Sequence, residues 1–267
     1  MLPSPESSPD PSPDPSVARR FRAIVAYDGA RFHGWQFQPG LPTVQGEIEA
    51  AIYAVTGARP RVDGAGRTDQ GVHALGQVAA FTVATRLGAE RLRLALNHHL
   101  PADVRLLRCQ EASPRFSPRF DAHWRMYWYL LAREATPFTR GRAYTPWFWP
   151  EVERMNTGLQ FLLGEWDFNA YTVASEGPYS CRIHEAHWDP TADGLRLTIR
   201  ANRFLYRMVR IIVGTSIRVG TGRLRPEAMG EILGGGDRRA AGRLAPAEGL
   251  YLAHVEYGDD APTQGAR

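Results

Sequence analysis

One order of strands and helices occurs twice along the chain, and this duplication constrains the fold more than any other feature. Apolar runs bounded by turn signals predict the strands, and apolar residues at helical spacing predict the helices. In the first half the predicted strands are 21–28, 60–65, 75–83 and 104–110, and the predicted helices are 43–56 and 89–99. In the second half the strands are 122–132, 181–189, 194–201 and 250–257, and the helices are 150–163 and 204–219. Each half therefore has the order β-α-β-β-α-β of a ferredoxin-like unit.

The predicted fold class is α+β, with two tandem ferredoxin-like units at 18–115 and 116–257. We expect their sheets to join edge to edge into one extended, mainly antiparallel sheet whose helices cover one face. The other face would form an open cleft, a surface that RNA-binding modules often use. Residues 1–17 are rich in Pro, Ser and Asp, and 258–267 are similar, so both tails are predicted to be disordered.

Composition excludes several kinds of chemistry. All 32 basic residues are arginine, so lysine Schiff bases and lysine-dependent phosphate loops are ruled out. Cys109 and Cys181 lack the spacing of a zinc site or a disulfide framework. No apolar run is long enough for a membrane span and no secretory signal is evident, which predicts a cytoplasmic protein without membrane contact. The net charge of +4 fits a polyanionic partner, although a solvated basic surface explains it equally well.

The densest functional signal is the glycine-rich loop 64–73, which joins two predicted strands. Asp69 lies there between Arg67 and Gly71. Glycines let a backbone approach a ligand closely, so the loop is a candidate active site with Asp69 as its acid. The alternative is a polar hairpin in which Asp69 makes a local turn hydrogen bond.

Two further segments carry candidate residues. Arg210 lies in an apolar stretch of the last long helix, so it needs a carboxylate partner if the helix is buried, and Asp69 is one candidate. Solvent exposure of Arg210 is the alternative. On strand 122–132, Tyr127 and Tyr129 share one face and Met126 and Trp128 share the other. One face could stack on a nucleobase, whereas ordinary core packing would explain both.

Taken together, these motifs resemble the bacterial tRNA pseudouridine synthase A family. The similarity extends from about Arg22 to Tyr257, which is essentially the whole chain between the tails. Each motif alone could arise by chance, but all of them occur in the family's order. The matching segments are 27–29, 32–36, 43–45, 66–73, 127–129, 208–214 and 245–252.

The resemblance implies a role for each matching residue. Asp69 is the catalytic aspartate, Tyr127 stacks on the target uracil and assists removal of the C5 proton, and Arg210 pairs with Asp69. Arg67 fills the space that the flipped nucleotide leaves. The remaining predicted substrate-binding residues are Thr68, Gln70, Gly71, His73 and Tyr129.

The same resemblance implies an isomerase that uses neither metal nor cofactor. It would act as a homodimer on tRNA and modify uridines at positions 38 to 40 of the anticodon arm. Two alternatives stay open, namely a tRNA-binding protein that has lost the chemistry and a pseudouridine synthase with another RNA target. A zinc deaminase is disfavoured because its histidine and cysteine spacing is absent.

Overall fold

A computed structural model describes residues 17–258. Apart from Val17 and Gly258, the two predicted tails lie outside the described residues. The strands are β1 Ala18–Tyr27, β2 Asp63–Gly64, β3 His73–Ala84, β4 Val104–Glu111, β5 Ala122–Ala132, β6 Gly164–Asp167, β7 Ser180–Pro190, β8 Gly194–Ala201 and β9 Leu250–Tyr257. The α-helices are α1 Val44–Thr56, α2 Ala89–His99, α3 Val152–Gln160, α4 Met208–Gly220 and α5 Ala228–Gly235.

All of these strands belong to one sheet, in the order β4-β1-β3-β9-β5-β8-β7-β6, with β2 also beside β3. The first half has the antiparallel order β4-β1-β3-β2, and the second half has the equivalent order β9-β5-β8-β7. The two halves meet where β3 pairs in parallel with β9 at His73 and Ala74. The predicted α+β class and the tandem ferredoxin-like units joined edge to edge are therefore confirmed.

Local signals explain where α1 begins and ends. The Thr43 hydroxyl accepts a hydrogen bond from the Gly46 N–H, as an N-cap does. Gly57 ends the helix with a left-handed φ of 71°, which glycine adopts without steric cost. These ends agree with the helix predicted at 43–56.

Other boundaries differ from the prediction for identifiable reasons. The last long helix begins at Met208 rather than at 204, because Arg207 has a left-handed backbone with φ of 61°. Strand β2 spans two residues instead of 60–65, and β9 pairs with another part of the same edge of β3. Neither α5 nor β6 was predicted. All four residues of β6 are exposed, so it has no alternation of burial to detect.

The two faces of β5 differ in environment. Tyr127 and Tyr129 lie opposite Ile199 and Leu197 of β8 in the hydrophobic core. Trp188 of β7 shares this face, and its indole N–H donates to the Ser216 hydroxyl of α4 at 3.0 Å. Helix α4 therefore covers the tyrosine face.

On the opposite face, arginine side chains cover two tryptophan rings. The guanidinium of Arg196 lies 4.8 Å from the ring centre of Trp128, and that of Arg200 lies 5.1 Å from that of Trp124. The aromatic face of β5 that contributes to the core is thus the Tyr127 face. Within residues 17–258, no helix is long and apolar enough to cross a membrane.

Candidate active site

The carboxylate of Asp69 lies between two arginine side chains in the connection from β2 to β3. Its Oδ2 atom accepts a hydrogen bond from Arg210 Nη1 at 3.0 Å, and Arg207 Nε lies 3.8 Å from the same oxygen. The Asp69 side chain is 21% exposed. Within residues 17–258, Oδ1 has no hydrogen bond or ion pair, so this oxygen is available to a substrate.

Arg210 is fixed from two sides. Its Nε donates to the Ala245 carbonyl at 2.7 Å while Nη1 bonds to Asp69, and the side chain is only 12% exposed. The backbone carbonyl of Arg210 in turn accepts from the Ala245 N–H at 3.1 Å. The planar guanidinium holds its donors in fixed directions, so Nε and Nη1 bind the two acceptors at once. The predicted pair between Asp69 and Arg210 is present.

The Asp69 loop is held at its start by Gln77, a fully buried residue of β3. The Gln77 amide donates to the Gly66 carbonyl at 2.7 Å and accepts from the Gly66 N–H at 3.3 Å. The backbone N–H and C=O of Gly66 are thereby both satisfied by one side chain. This residue was not recognised from sequence, where it looks like an ordinary polar residue of a strand.

The middle of the loop is held at Thr68, next to the catalytic candidate. The Thr68 hydroxyl lies 2.8 Å from the Tyr27 hydroxyl, and the Thr68 carbonyl accepts from the Trp35 N–H at 3.1 Å. Gly34 packs against the same carbonyl, since a Cβ there would lie 2.5 Å from it. Thr68 is buried and bonded to protein, so it supports the loop; its predicted contact with a substrate stays a prediction.

The end of the loop is held at His73, which is 2% exposed. The Gly29 N–H donates to its Nδ1 atom at 3.0 Å, so that nitrogen carries no proton. The ring stacks on Tyr251 at 4.6 Å. Burial lowers the pKa of His73, and the nearby Asp28 carboxylate partly opposes this shift. His73 therefore acts as a neutral structural anchor.

Tyr127 lies beside the loop on β5, which is separated from β3 by β9. A Cβ on Gly66 would lie 3.7 Å from its hydroxyl, and the ring packs edge-on against Phe204 at 5.0 Å. Burial raises the pKa of Tyr127 to about 12, with a further upward contribution from Asp69 and an opposing one from Arg125. The phenol is therefore protonated at neutral pH and offers an aromatic edge and a hydroxyl.

The other predicted binding residues divide by exposure. Arg67 and Gln70 are exposed at the loop surface, and Gly71 is half-buried with φ of 77°. Tyr129 is fully buried, and its hydroxyl donates to the Pro246 carbonyl at 2.9 Å. The structure therefore brings Arg67, Gln70 and Gly71 near the surface, whereas Tyr129 lies in the core.

Asp69, Tyr127 and Arg210 meet on the side of the sheet that carries α4, because Arg210 itself comes from that helix. The predicted RNA cleft on the opposite face stays a prediction. Among the described residues, no three His, Cys, Asp or Glu side chains are grouped as a metal site requires.

Comparison with known proteins assigns a class to this fold and site. The family model described as tRNA pseudouridine synthase matches residues 23–121 and 159–258. The chain therefore belongs to the tRNA pseudouridine synthase family, which confirms the enzyme class that the sequence motifs indicated.

Individual relatives narrow the similarity further. The chain is 41% identical to a tRNA pseudouridine synthase A of Maridesulfovibrio salexigens over 247 residues, covering 90% of this chain and 91% of the relative. It is 40% identical to one of Bacillus subtilis over 244 residues, covering 89% and 99%. It is 38% identical to one of Syntrophomonas wolfei over 253 residues, covering 90% and 98%. The similarity thus spans nearly the full length of each relative.

Proposed function

We propose that this protein converts uridine to pseudouridine in tRNA, at positions 38 to 40 of the anticodon arm. The observation that carries the proposal is the Asp69 carboxylate, held through Oδ2 by Arg210 with Oδ1 open, in the loop beside Tyr127. The family supports the reaction. The names of the relatives support tRNA as the substrate, and the sequence resemblance supports the anticodon arm. A cytoplasmic location, where tRNA is available, belongs to the same proposal.

The reaction explains why one carboxylate is enough. Converting uridine to pseudouridine breaks the N1–C1′ bond, rotates the uracil, forms a C5–C1′ bond, releases the C5 proton and leaves N1 protonated, so the product is an isomer of the substrate. No water is added, so the paired acids of ordinary glycosidases are not needed. Water must instead be kept away while the base is detached, which requires a flipped nucleotide in a closed pocket.

The geometry supports a proposed task for each group. Asp69 presents Oδ1 to the nucleotide, whether it attacks C1′, adds to C6 or removes the C2′ proton. Arg210 keeps the carboxylate oriented, because it is itself fixed on Ala245. Tyr127 packs beside the uracil as a neutral phenol. Arg67, exposed at the loop surface, is placed to fill the gap that the flipped nucleotide leaves.

Mapping of pseudouridine in tRNA tests the target positions. In cells that lack the gene, we expect pseudouridine to disappear at one or more of positions 38, 39 and 40 and to return with the wild-type gene but not with Asp69→Asn. Loss of pseudouridine at other tRNA positions, or in another RNA, would refute the anticodon arm as the target but would leave the assignment as a pseudouridine synthase intact. No change in any RNA would favour a binding protein without activity.

We also propose that the enzyme is a homodimer. The structure supports a partner surface at 138–148, where Phe138, Trp147 and Phe148 are exposed and Trp147 has 96% of its surface free. Monomers rarely leave several large aromatic side chains exposed together. Light scattering should give twice the monomer mass, and Trp147→Ser combined with Phe148→Ser should weaken the dimer. A monomeric mass for the wild type would refute the homodimer. If the double variant stayed dimeric but bound tRNA more weakly, this surface would be assigned to RNA binding instead.

A further inference from the structure

Arg207 has a backbone conformation that its residue type rarely adopts. It is the one non-glycine residue with positive φ within residues 17–258, with φ of 61° and ψ of 9°. This left-handed region costs an L-residue with a Cβ, and it is populated mainly by glycine and asparagine. Such residues persist where the surrounding structure enforces them, and they cluster at functional sites.

Hydrogen bonds on both sides of Arg207 enforce this conformation. The preceding carbonyl, of Tyr206, accepts from the Thr172 hydroxyl at 3.0 Å and from the Val173 N–H at 3.4 Å. The carbonyl of Arg207 itself accepts from the Ile211 N–H at 3.2 Å, within the first turn of α4. The backbone turn at Arg207 is thus fixed from the segment 172–173 and from the helix.

The side chain of Arg207 lies on the solvent side of the Asp69 carboxylate. Its Nε is 3.8 Å from Asp69 Oδ2, beyond hydrogen-bond distance, and it is 38% exposed whereas Arg210 is 12% exposed. The guanidinium also lies 4.8 Å from the ring centre of Tyr206. Within the described part of the chain, it makes no hydrogen bond. Arg207 therefore offers free N–H donors beside the carboxylate, whereas Arg210 is committed through Nε to Ala245 and through Nη1 to Asp69.

An RNA substrate supplies the acceptor that these donors lack. A uridine that reaches Asp69 carries its own phosphate, and a guanidinium binds phosphate through two parallel hydrogen bonds. We propose that Arg207 binds the backbone phosphate at the target nucleotide and thereby positions its sugar against Asp69 Oδ1. This inference rests on the proposed function and adds a binding residue to it. Arg210 remains the partner of the carboxylate.

The test replaces Arg207 with residues that accept the same backbone. Asparagine and glycine both adopt left-handed φ values, so Arg207→Asn and Arg207→Gly remove the guanidinium without disturbing the turn. Their melting temperatures should equal or exceed that of the wild type. The control is Arg239→Gln, which removes an exposed arginine that is paired with Asp237.

Single-turnover tritium release from C5-labelled tRNA transcripts, measured against enzyme concentration, gives a half-saturation concentration and a maximal rate. For both Arg207 variants we expect half-saturation to rise about tenfold while the maximal rate stays within about threefold. In filter binding, the slope of log Kd against log salt concentration should fall by about 0.9, which corresponds to the loss of about one phosphate contact. Arg239→Gln should change neither quantity.

Three results would overturn the assignment. Unchanged half-saturation and salt slope would show that Arg207 does not bind RNA. A lower maximal rate at unchanged half-saturation would show that it acts on Asp69 instead. If Arg239→Gln had an equal effect, Arg207 would contribute only to the overall positive charge of the protein. If the wild type released no tritium, the proposed function would fail, whereas filter binding would still measure the phosphate contact.

Discussion

Asp69→Asn is expected to lower the rate of pseudouridine formation by at least about 10³-fold, the largest effect of any substitution considered. The amide has nearly the same shape and still accepts the hydrogen bond from Arg210 Nη1, so the loop should keep its structure. The reacting oxygen, however, loses its negative charge, which each of the three possible routes requires. Tritium release from C5-labelled tRNA measures the rate, and filter binding should show tRNA affinity within about threefold of wild type, because phosphate contacts dominate affinity.

A matched control is available on β2, the strand that precedes the Asp69 loop. Asp63 on β2 is also an aspartate bound to arginine, with Arg20 Nη2 3.2 Å from its Oδ2. Asp63→Asn should retain activity within about threefold, since it lies outside the site. Substantial tritium release by Asp69→Asn would remove this carboxylate from the mechanism, even if tRNA binding were normal.

Arg210→Gln should give the second largest effect, on activity and stability together. The variant leaves the Asp69 carboxylate without its hydrogen-bonded cation and the Ala245 carbonyl without its donor. Misorientation of Asp69 should reduce the rate about 10²-fold or more. The loss of a charged hydrogen bond at a mostly buried position should reduce the free energy of unfolding by about 1 to 3 kcal/mol. Tritium release and urea denaturation measure the two quantities.

Arg218→Gln provides the control on the same helix. Arg218 lies toward the other end of α4, and its guanidinium is 3.4 Å from the Ala240 carbonyl. Arg218→Gln should change neither the rate nor the free energy of unfolding by much. In a double-mutant cycle, Asp69→Asn and Arg210→Gln should be non-additive in rate, since they act through one contact. Additive losses, or full activity of Arg210→Gln, would contradict the role given to the pair.

The strand and helix order was predictable because it depends on local chemistry. Thr43 and Gly57 mark the ends of α1 through a side-chain cap and a left-handed φ, both of which are properties of single residues. The pattern of burial on β1 and β5 alternates, so periodicity locates these strands. Where such signals are absent, as in the exposed strand β6, the prediction missed the element.

The site was predictable only in part. Asp69 and Arg210 are 141 positions apart, and sequence offered their pairing as a candidate from an unpaired charge and from a family resemblance. It gave no sign that Gln77 clamps Gly66 or that Arg207 takes a left-handed conformation. It also did not distinguish Arg67, which is exposed, from Tyr129, which is buried.

The sequence by itself determined the duplicated β-α-β-β-α-β order, the ends of the longer elements and the residue types capable of chemistry, because each follows from interactions between near neighbours in the chain. Tertiary structure alone decided that the two halves join through β3 and β9, and that the Asp69 carboxylate lies on the helix side between two arginines of differing exposure. Those properties depend on how distant segments pack, and packing fixes which polar groups are buried, paired or left open to a substrate.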